Sequence, residues 1–197
     1  MSFLIAGLGN PGTRYEKTRH NAGFLFIDRL AIDYGIQLKR KIFDSLSVGS
    51  GMVCGERVVL AKPETFMNLS GKVFPKLFRA NGIDAQRCLV IVDNMDLPFG
   101  ALRLKKGGSS AGHNGLKSVI SAIGTSFYRL YIGVGRPEAS ERDTVSHVLA
   151  PLTEEEMSIL SETAEKIAEP LKNLFAGNFE KACHEINTLG KSGKTSS

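Results

Sequence analysis

The fold of this chain begins with Phe3-Leu4-Ile5-Ala6-Gly7-Leu8-Gly9-Asn10-Pro11-Gly12, an apolar run that stops at a turn rich in glycine. Residues 3–6 are continuously apolar, which predicts a strand buried on both faces of a sheet. Glycines in the turn let a ligand approach the main chain. A polar segment then leads to His20, just before the first helical pattern. Asn10 and His20 are therefore candidate site residues, although tight turns of purely structural importance use the same residue types.

Composition limits the classes of protein to consider. The chain has 197 residues, of which 42% are hydrophobic and 23% charged, so we expect one soluble globular domain over residues 1–189 and a disordered tail at 190–197. The net charge of +5 favours a polyanionic partner without establishing one. Three scattered cysteines and the absence of long apolar runs predict a cytoplasmic protein with neither disulfides nor a structural zinc site. Nothing in the sequence suggests more than a monomer.

Strand and helix patterns alternate along most of the sequence, which indicates an α/β fold. Strands are predicted at residues 3–6, 45–48, 58–61, 88–92, 101–106 and 127–134, and helices at 22–34, 70–81, 116–123, from 153 onward and at 178–189. Asn21 is expected to cap the first helix, and Thr153 with Glu156 forms a capping box. Pro170 is expected to bend or split the long C-terminal helix.

Polar side chains follow several of these strands. Asp93 ends the clearest strand, and a carboxylate there lies at the crevice where open α/β sheets bind ligands, unless it only caps the next turn. Asn68 is a loop amide suited to hydrogen-bonding a ligand. Its neighbours Phe66 and Met67 are equally consistent with core or hinge residues.

Two further segments carry candidate ligand contacts. Arg103 and Lys105 lie on one face of a strand, where they form either a solvated edge or a phosphate contact. A Gly/Ser loop over residues 107–115 contains His113 and Asn114 and is expected to act as a lid or as an anion-binding helix N-terminus.

The candidate residues suit hydrolysis by a base-activated water. A neutral imidazole accepts a proton near pH 7, an aspartate orients it, and amides stabilise a developing oxyanion. The letters G-x-S-x-G occur only at residues 108–112, within the flexible Gly/Ser loop and not in a sharp turn from a strand directly into a helix, and no histidine pair has metal-ligand spacing. A covalent acyl-enzyme and a zinc hydrolase are therefore disfavoured. Gly7, Gly9 and Gly12 match a dinucleotide-binding fingerprint, but the unpatterned residues 13–19 replace the helix that such a site requires.

Five motifs resemble those of the bacterial peptidyl-tRNA hydrolase family. They are Gly7-Leu-Gly-Asn-Pro-Gly12, Thr18-Arg-His-Asn-Ala-Gly23, Pro63-Glu-Thr-Phe-Met-Asn-Leu-Ser-Gly71, Asp93 with Asp96-Leu-Pro98, and Gly112-His-Asn-Gly-Leu116. The resemblance implies a single-domain three-layer α/β sandwich, with a twisted mixed sheet flanked by helices and the C-terminal helices packed alongside. It also implies hydrolysis of the ester between a peptide and tRNA, recycling stalled peptidyl-tRNA without a metal or other cofactor.

The resemblance also assigns roles to individual residues. His20 matches the general base, Asp93 the carboxylate that holds it, and Asn10 the residue that separates blocked from unblocked aminoacyl-tRNA. Contacts to tRNA or peptide, or to the cleft wall, are implied for Tyr15, Phe66, Met67, Asn68, His113, Asn114, Arg103 and Lys105.

One departure concerns phosphate binding. Tyr131 stands where the family commonly has a basic residue, which leaves Arg129 and Arg136 as candidates to compensate. The remaining alternatives are a non-catalytic RNA- or ribosome-binding member of the same fold, which turnover would exclude, and a dinucleotide-dependent oxidoreductase, which cofactor binding would support.

Overall fold

Seven strands form one mixed sheet in the computed structural model, which describes residues 2–137 and 144–189. They are β1 (Ser2–Gly7), β2 (Lys39–Lys41), β3 (Leu46–Val53), β4 (Glu56–Pro63), β5 (Cys88–Asn94), β6 (Leu102–Lys106) and β7 (Tyr128–Gly133). The order across the sheet is β2-β3-β4-β1-β5-β7-β6. The four central strands are parallel, whereas β2, β3 and β6 add antiparallel pairs at the two edges. The predicted tail at 190–197 lies outside the described residues.

Helices cover both faces of this sheet, so the predicted three-layer α/β architecture is confirmed. They are α1 (Ala22–Asp33), α2 (Phe74–Asn81), α3 (Asn114–Ile123), α4 (Thr144–Leu149), α5 (Glu154–Phe175) and α6 (Phe179–Leu189). One hydrophobic core joins α1, α5 and α6 to the first face of the sheet. A second core joins α2 and α3 to the opposite face.

Strand β1 lies at the centre because its side chains are apolar on both faces. Phe3 and Ile5 belong to the first core, and Leu4 and Ala6 to the second. All four are at most 2% exposed, as expected for a parallel strand covered by helices on both sides.

Two glycines bring α1 against the end of β1. A Cβ atom at Gly7 would lie 2.1 Å from the carbonyl oxygen of Gly23, and one at Gly23 would lie 2.5 Å from that of Leu8. Only glycine permits this approach of the two main chains. The loop between β1 and α1 therefore folds back over the end of the sheet and carries His20 with it.

Several local predictions differ from the structure. Asn21 makes no capping bond to α1, because its side-chain oxygen accepts from the backbone N–H of Asn10 instead. The helix expected over 70–81 is a 3₁₀ segment, Met67–Val73, followed by α2. Strand β2 and helix α4 were not predicted.

Helix α5 continues through Pro170, so the predicted split of this helix is wrong. Proline costs about 3 kcal/mol inside a helix, yet packing of the apolar stripe outweighs that cost. The stripe consists of Leu160, Ala164, Ile167, Leu171 and Leu174, each at most 2% exposed. The capping box is confirmed: Thr153 Oγ1 accepts from the N–H of Glu156, and Glu156 Oε2 accepts from that of Thr153.

Candidate active site

Asp93 lies at the carboxyl end of β5 and is 3% exposed. Its Oδ1 atom is 2.9 Å from His20 Nδ1 and 3.1 Å from His113 Nε2. His113 Nδ1 also accepts from the backbone N–H groups of Gly115 and Leu116 at the start of α3. Because Nδ1 accepts these bonds, the proton of the neutral His113 ring must be on Nε2, where it is donated to Asp93.

The same logic assigns the proton on His20. Asp93 is ionised and accepts hydrogen bonds, so His20 Nδ1 is a donor and His20 Nε2 keeps its lone pair. The His20 side chain is 15% exposed, and it lines a cleft together with Asp93. His20 therefore offers an acceptor nitrogen to a molecule bound in this cleft.

Electrostatics support this assignment. Burial lowers the pKa of His20, but the charge and the hydrogen bond of Asp93 outweigh that effect and leave the pKa above its ordinary value. Burial raises the pKa of Asp93, yet the two imidazoles and their hydrogen bonds hold it well below its usual range. Asp93 consequently stays ionised at neutral pH, and His20 titrates above its ordinary pKa.

Contacts made by the two preceding residues, Thr18 and Arg19, position His20. It belongs to a 3₁₀ turn, Arg19–Asn21, whose first residue donates its backbone N–H to the carbonyl of Ala150. The Arg19 guanidinium pairs with Glu156 at the start of α5, with 2.5 Å between Nη2 and Oε1. Thr18 also forms an isolated bridge with Pro151. The segment before His20 is thus held by the chain between α4 and α5.

Asn10 is fixed by both its main chain and its side chain. Its backbone N–H donates to Asn21 Oδ1 at 2.8 Å, and Asn21 Nδ2 donates to the Asn10 carbonyl at 2.9 Å. Asn10 Oδ1 accepts from the N–H of Met67 at 2.8 Å. With its oxygen engaged, Asn10 has its Nδ2 group left to donate into the cleft that it lines.

The cleft has a volume of about 390 Å³. It contains five of the predicted site residues, which are Asn10, His20, Asp93, His113 and Asn114. Its opposite wall is apolar and includes Val145 and Val148 of α4, which the sequence analysis did not identify. A helix of only six residues gives no clear sequence signal for such a wall.

His20, Asp93 and His113 are also the group of three potential metal ligands found among the described residues. Their converging atoms already lie at hydrogen-bond distances of 2.9 and 3.1 Å. A metal needs a lone pair on each ligand atom, whereas His113 Nε2 carries the ring proton because His113 Nδ1 accepts from the backbone N–H groups of Gly115 and Leu116. The arrangement fits a hydrogen-bonded base with its orienting acid better than a metal centre.

The chain was then compared with known proteins. A family model described as peptidyl-tRNA hydrolase matches residues 4–195. The peptidyl-tRNA hydrolase of Geobacter sp. is 45% identical over 185 residues, covering 93% of this chain and 97% of that protein, and that of Bacillus subtilis is 43% identical over 186 residues, covering 94% and 98%. The crystal structure of peptidyl-tRNA hydrolase from Acinetobacter baumannii is 38% identical, with a TM-score of 0.88 and 94% of each chain covered. This chain belongs to the peptidyl-tRNA hydrolase family.

Family membership confirms the resemblance drawn from the five motifs and removes the oxidoreductase alternative. The structure gives the physical reason as well. After Gly12 the chain enters a 3₁₀ turn, Thr13–Tyr15, and α1 starts only at Ala22. The glycine-rich loop of this chain therefore lacks the directly following helix whose N-terminus would hold a pyrophosphate.

Six predicted contact residues of this hydrolase do not line the cleft. Met67 is 5% exposed and holds Asn10 through its backbone, whereas Phe66 is 56% exposed. Asn68 is exposed beside them, and Tyr15 is half-buried under the guanidinium of Arg14. Arg103 and Lys105 are both exposed on one face of β6, as the strand alternation predicts.

The suggestion that Arg129 compensates for Tyr131 is wrong. Arg129 is fully buried, and its Nη1 donates to the carbonyl oxygens of Gly107 and Ser109 at 2.6 and 3.2 Å. Its guanidinium also lies 4.5 Å from the ring centre of Phe127. This residue supports the loop that precedes His113 and is not available to an external phosphate.

Arg136 is exposed and pairs with Asp96. It lines the cleft, so it remains a candidate for a phosphate contact.

None of the helices in the described part of the chain combines the length and apolarity that a transmembrane span requires.

Proposed function

We propose that this chain hydrolyses the ester between a peptide, or an N-blocked aminoacyl group, and tRNA, using a water activated by His20. The observation that carries the mechanism is the 2.9 Å contact between His20 Nδ1 and Asp93 Oδ1. It leaves His20 Nε2 as a proton acceptor on the cleft side. Family membership supports the choice of substrate.

The proton transfers follow from this geometry. His20 Nε2 takes a proton from water as the water oxygen attacks the ester carbonyl carbon. Asp93 stabilises the imidazolium that results. When the ester bond breaks, the imidazolium returns the proton to the leaving ribose oxygen, so His20 is neutral again at the end of the cycle. No metal or other cofactor takes part in this proposal.

Asn10 is proposed to distinguish blocked from unblocked substrates. Its Nδ2 group is a hydrogen-bond donor, which suits the carbonyl oxygen of a peptide or acyl group. A free aminoacyl group presents an ammonium at the corresponding place, and two donors cannot bond to each other.

We further propose that Asn68 and Asn114 contact substrate, that Tyr15 and Phe66 contact tRNA or peptide, and that Met67 and His113 shape the cleft. Arg103 and Lys105 are proposed to contact tRNA phosphates.

The cellular setting follows from the substrate. Peptidyl-tRNA arises in translation, so we propose that the enzyme acts in the cytoplasm as a monomer on peptidyl-tRNA that has stalled or dropped off. Its three free cysteines agree with a reducing compartment.

The test is release of an N-acetylated aminoacyl group from tRNA in the presence of a metal chelator. We expect the wild type to turn over and His20→Ala to lose about 10²–10⁴-fold in kcat, which is the usual contribution of a general base. His184→Ala is the matched control, because His184 is exposed and does not line the cleft.

Two outcomes would contradict the proposal. Loss of turnover with chelator alone would assign the water activation to a metal. Binding of tRNA by the wild type without cleavage would favour a non-catalytic RNA-binding protein.

A further inference from the structure

A second groove, here called the β2–α2 groove, lies between strands β2, β3 and β4 and helix α2 and has a volume of about 330 Å³. It shares no lining residue with the cleft around His20. Its charged lining consists of Lys39, Lys41, Arg57 and Lys76, against the single carboxylate of Asp44. The mechanism proposed above makes no use of these residues.

Most of this positive charge is not neutralised within the protein. Lys76 pairs with Asp44, with 2.5 Å between Nζ and Oδ1. In residues 2–137 and 144–189, no carboxylate forms a salt bridge with Lys39, Lys41 or Arg57. Three unpaired cations lining one concave surface create a positive potential that attracts a polyanion.

The strand geometry places two of these cations side by side. Lys39 pairs in register with Val48, and Lys41 with Leu46, so both lysine side chains lie on the same face of the antiparallel pair. The intervening Arg40 is on the other face and pairs with Glu64. The spacing suits successive charges along one extended chain.

An exposed aromatic residue, Phe43, follows Lys41 by two positions in the sequence, although it is not part of the groove lining. Ile42 and Phe43 directly follow Lys41, and their exposed fractions are 74% and 105%. Lysine and arginine near an exposed aromatic ring form the combination that binds single-stranded nucleic acid, through phosphate contacts and base stacking.

Protection of the sheet edge explains only part of this surface. Lysines on an edge strand such as β2 prevent pairing with another sheet. That account does not require Arg57, which belongs to β4 inside the sheet. It also conflicts with Phe43, since an edge that avoids association would not display an exposed phenyl ring.

We propose that the β2–α2 groove binds a single-stranded segment of RNA, with Lys39, Lys41 and Arg57 contacting phosphates and Phe43 stacking on a base. A flat anionic membrane is disfavoured because the cations line a concave surface. The groove would give the protein an RNA contact separate from its cleft, and this inference does not depend on the proposed hydrolytic mechanism.

The test compares two charge-neutralised variants of the full chain. Lys39→Gln/Lys41→Gln removes two groove cations, and Lys166→Gln/Lys181→Gln removes two exposed lysines of α5 and α6 as the control. Binding of a fluorescent single-stranded RNA oligonucleotide without a tRNA acceptor end is measured by anisotropy over a range of salt. We expect the groove variant alone to bind more weakly, with a salt slope reduced by about 1.4, the value for two lost phosphate contacts on a single strand.

Phe43→Ala tests the stacking contact separately. Loss of one stacked base is expected to weaken binding about fivefold to 100-fold, with the salt slope unchanged. Thermal unfolding should be unaffected because this side chain is exposed. Binding of the same variants to anionic lipid vesicles is measured in parallel.

The results that would overturn the RNA groove differ from those that would overturn the hydrolytic mechanism. Equal affinity for RNA in the groove and control variants would overturn the proposal, as would a groove variant that loses vesicle binding and retains RNA binding. Hydrolysis of N-acetylated aminoacyl-tRNA is measured on the same samples, and kcat should be the same in all variants. Absence of turnover in the wild type would contradict the hydrolytic mechanism and leave the RNA groove unaffected.

Discussion

The carboxylate of Asp93 controls the protonation of His20, and this can be tested by pH dependence. Wild-type activity should rise with pH through the pKa of His20, which lies above its ordinary value because of Asp93. In Asp93→Asn the negative charge beside His20 is lost, whereas burial still lowers the pKa of His20. We therefore expect the acid limb of the kcat–pH profile to move to lower pH, together with a fall in kcat of about 10²-fold or more because the imidazolium loses its stabilisation.

Asp33→Asn is the control for this change. It removes a carboxylate that pairs with Arg29 on the surface of α1, and it should leave the profile in place. An unshifted acid limb in Asp93→Asn would show that His20 does not titrate under the influence of Asp93.

Sequence reasoning identified residues whose roles follow from strand ends. Asp93 lies at the carboxyl end of β5 and Asn10 three residues after β1, so their closeness at one edge of the sheet could be anticipated. Asn21 could not be assigned, because its position before a helix favoured capping, whereas its actual partner Asn10 is eleven residues away. The prediction that Arg129 contacts phosphate was wrong because no sequence pattern near Arg129 shows that the 107–111 loop passes over it.

At the scale of single elements, Arg129 connects β7 to the loop that carries His113. Replacing it with methionine keeps an apolar stem but leaves the carbonyls of Gly107 and Ser109 without their donor. We expect Arg129→Met to lose about 1–3 kcal/mol of stability and to lower kcat, because His113 is held less firmly against Asp93. Hydrogen exchange should accelerate at the backbone amides of the loop.

Arg79→Met is the matched control, since Arg79 is exposed on α2. Arg129→Lys should be intermediate because it restores one donor. Unchanged amide protection in Arg129→Met would mean that the loop is held by other contacts.

Helices and strands with a regular pattern of apolar residues were predicted well, whereas those without such a pattern were not. Helix α1 and strand β5 follow from continuous patterns, and both match within two residues. Strand β2 has the sequence Lys-Arg-Lys and exists only because it pairs with β3. Pro170 was overestimated as a helix breaker because packing of α5 depends on residues far away in sequence.

At the scale of the whole molecule, the two hydrophobic cores are expected to contribute differently to stability and to turnover. The core around α5 lies on the face opposite α2 and α3, and none of its buried residues lines the cleft, although the partly buried Met95 contacts both. Leu171 is fully buried there, so Leu171→Ala should lower the free energy of unfolding by about 2–5 kcal/mol. The kcat of the folded enzyme should stay near the wild-type value at temperatures below the unfolding transition.

Chemical denaturation and turnover measure these two quantities. Ile159→Ala is the control on the same helix, because Ile159 is 37% exposed and should cost far less. A large loss of kcat in folded Leu171→Ala would show that this core also shapes the cleft.

The fold class could be predicted, but the strand order could not. Alternating strand and helix patterns indicate an α/β sheet with layers on both sides. They do not reveal that β6 passes beyond β7 to the edge, or that β4 pairs with β1. Those pairings join residues distant in sequence and depend on contacts that no local pattern encodes.

His113 makes the two sides of Asp93 in the candidate site unequal. One of its nitrogens accepts from the first turn of α3 and the other donates to Asp93, so the ring has no lone pair left to offer. Two imidazoles stand side by side, with ring centres 5.2 Å apart, yet only His20 can receive a proton without breaking a contact. The hydrogen bonds of His113 therefore leave His20 Nε2 as the one imidazole nitrogen of this pair that is free to accept a proton, and His113 holds Asp93 in place from the other side.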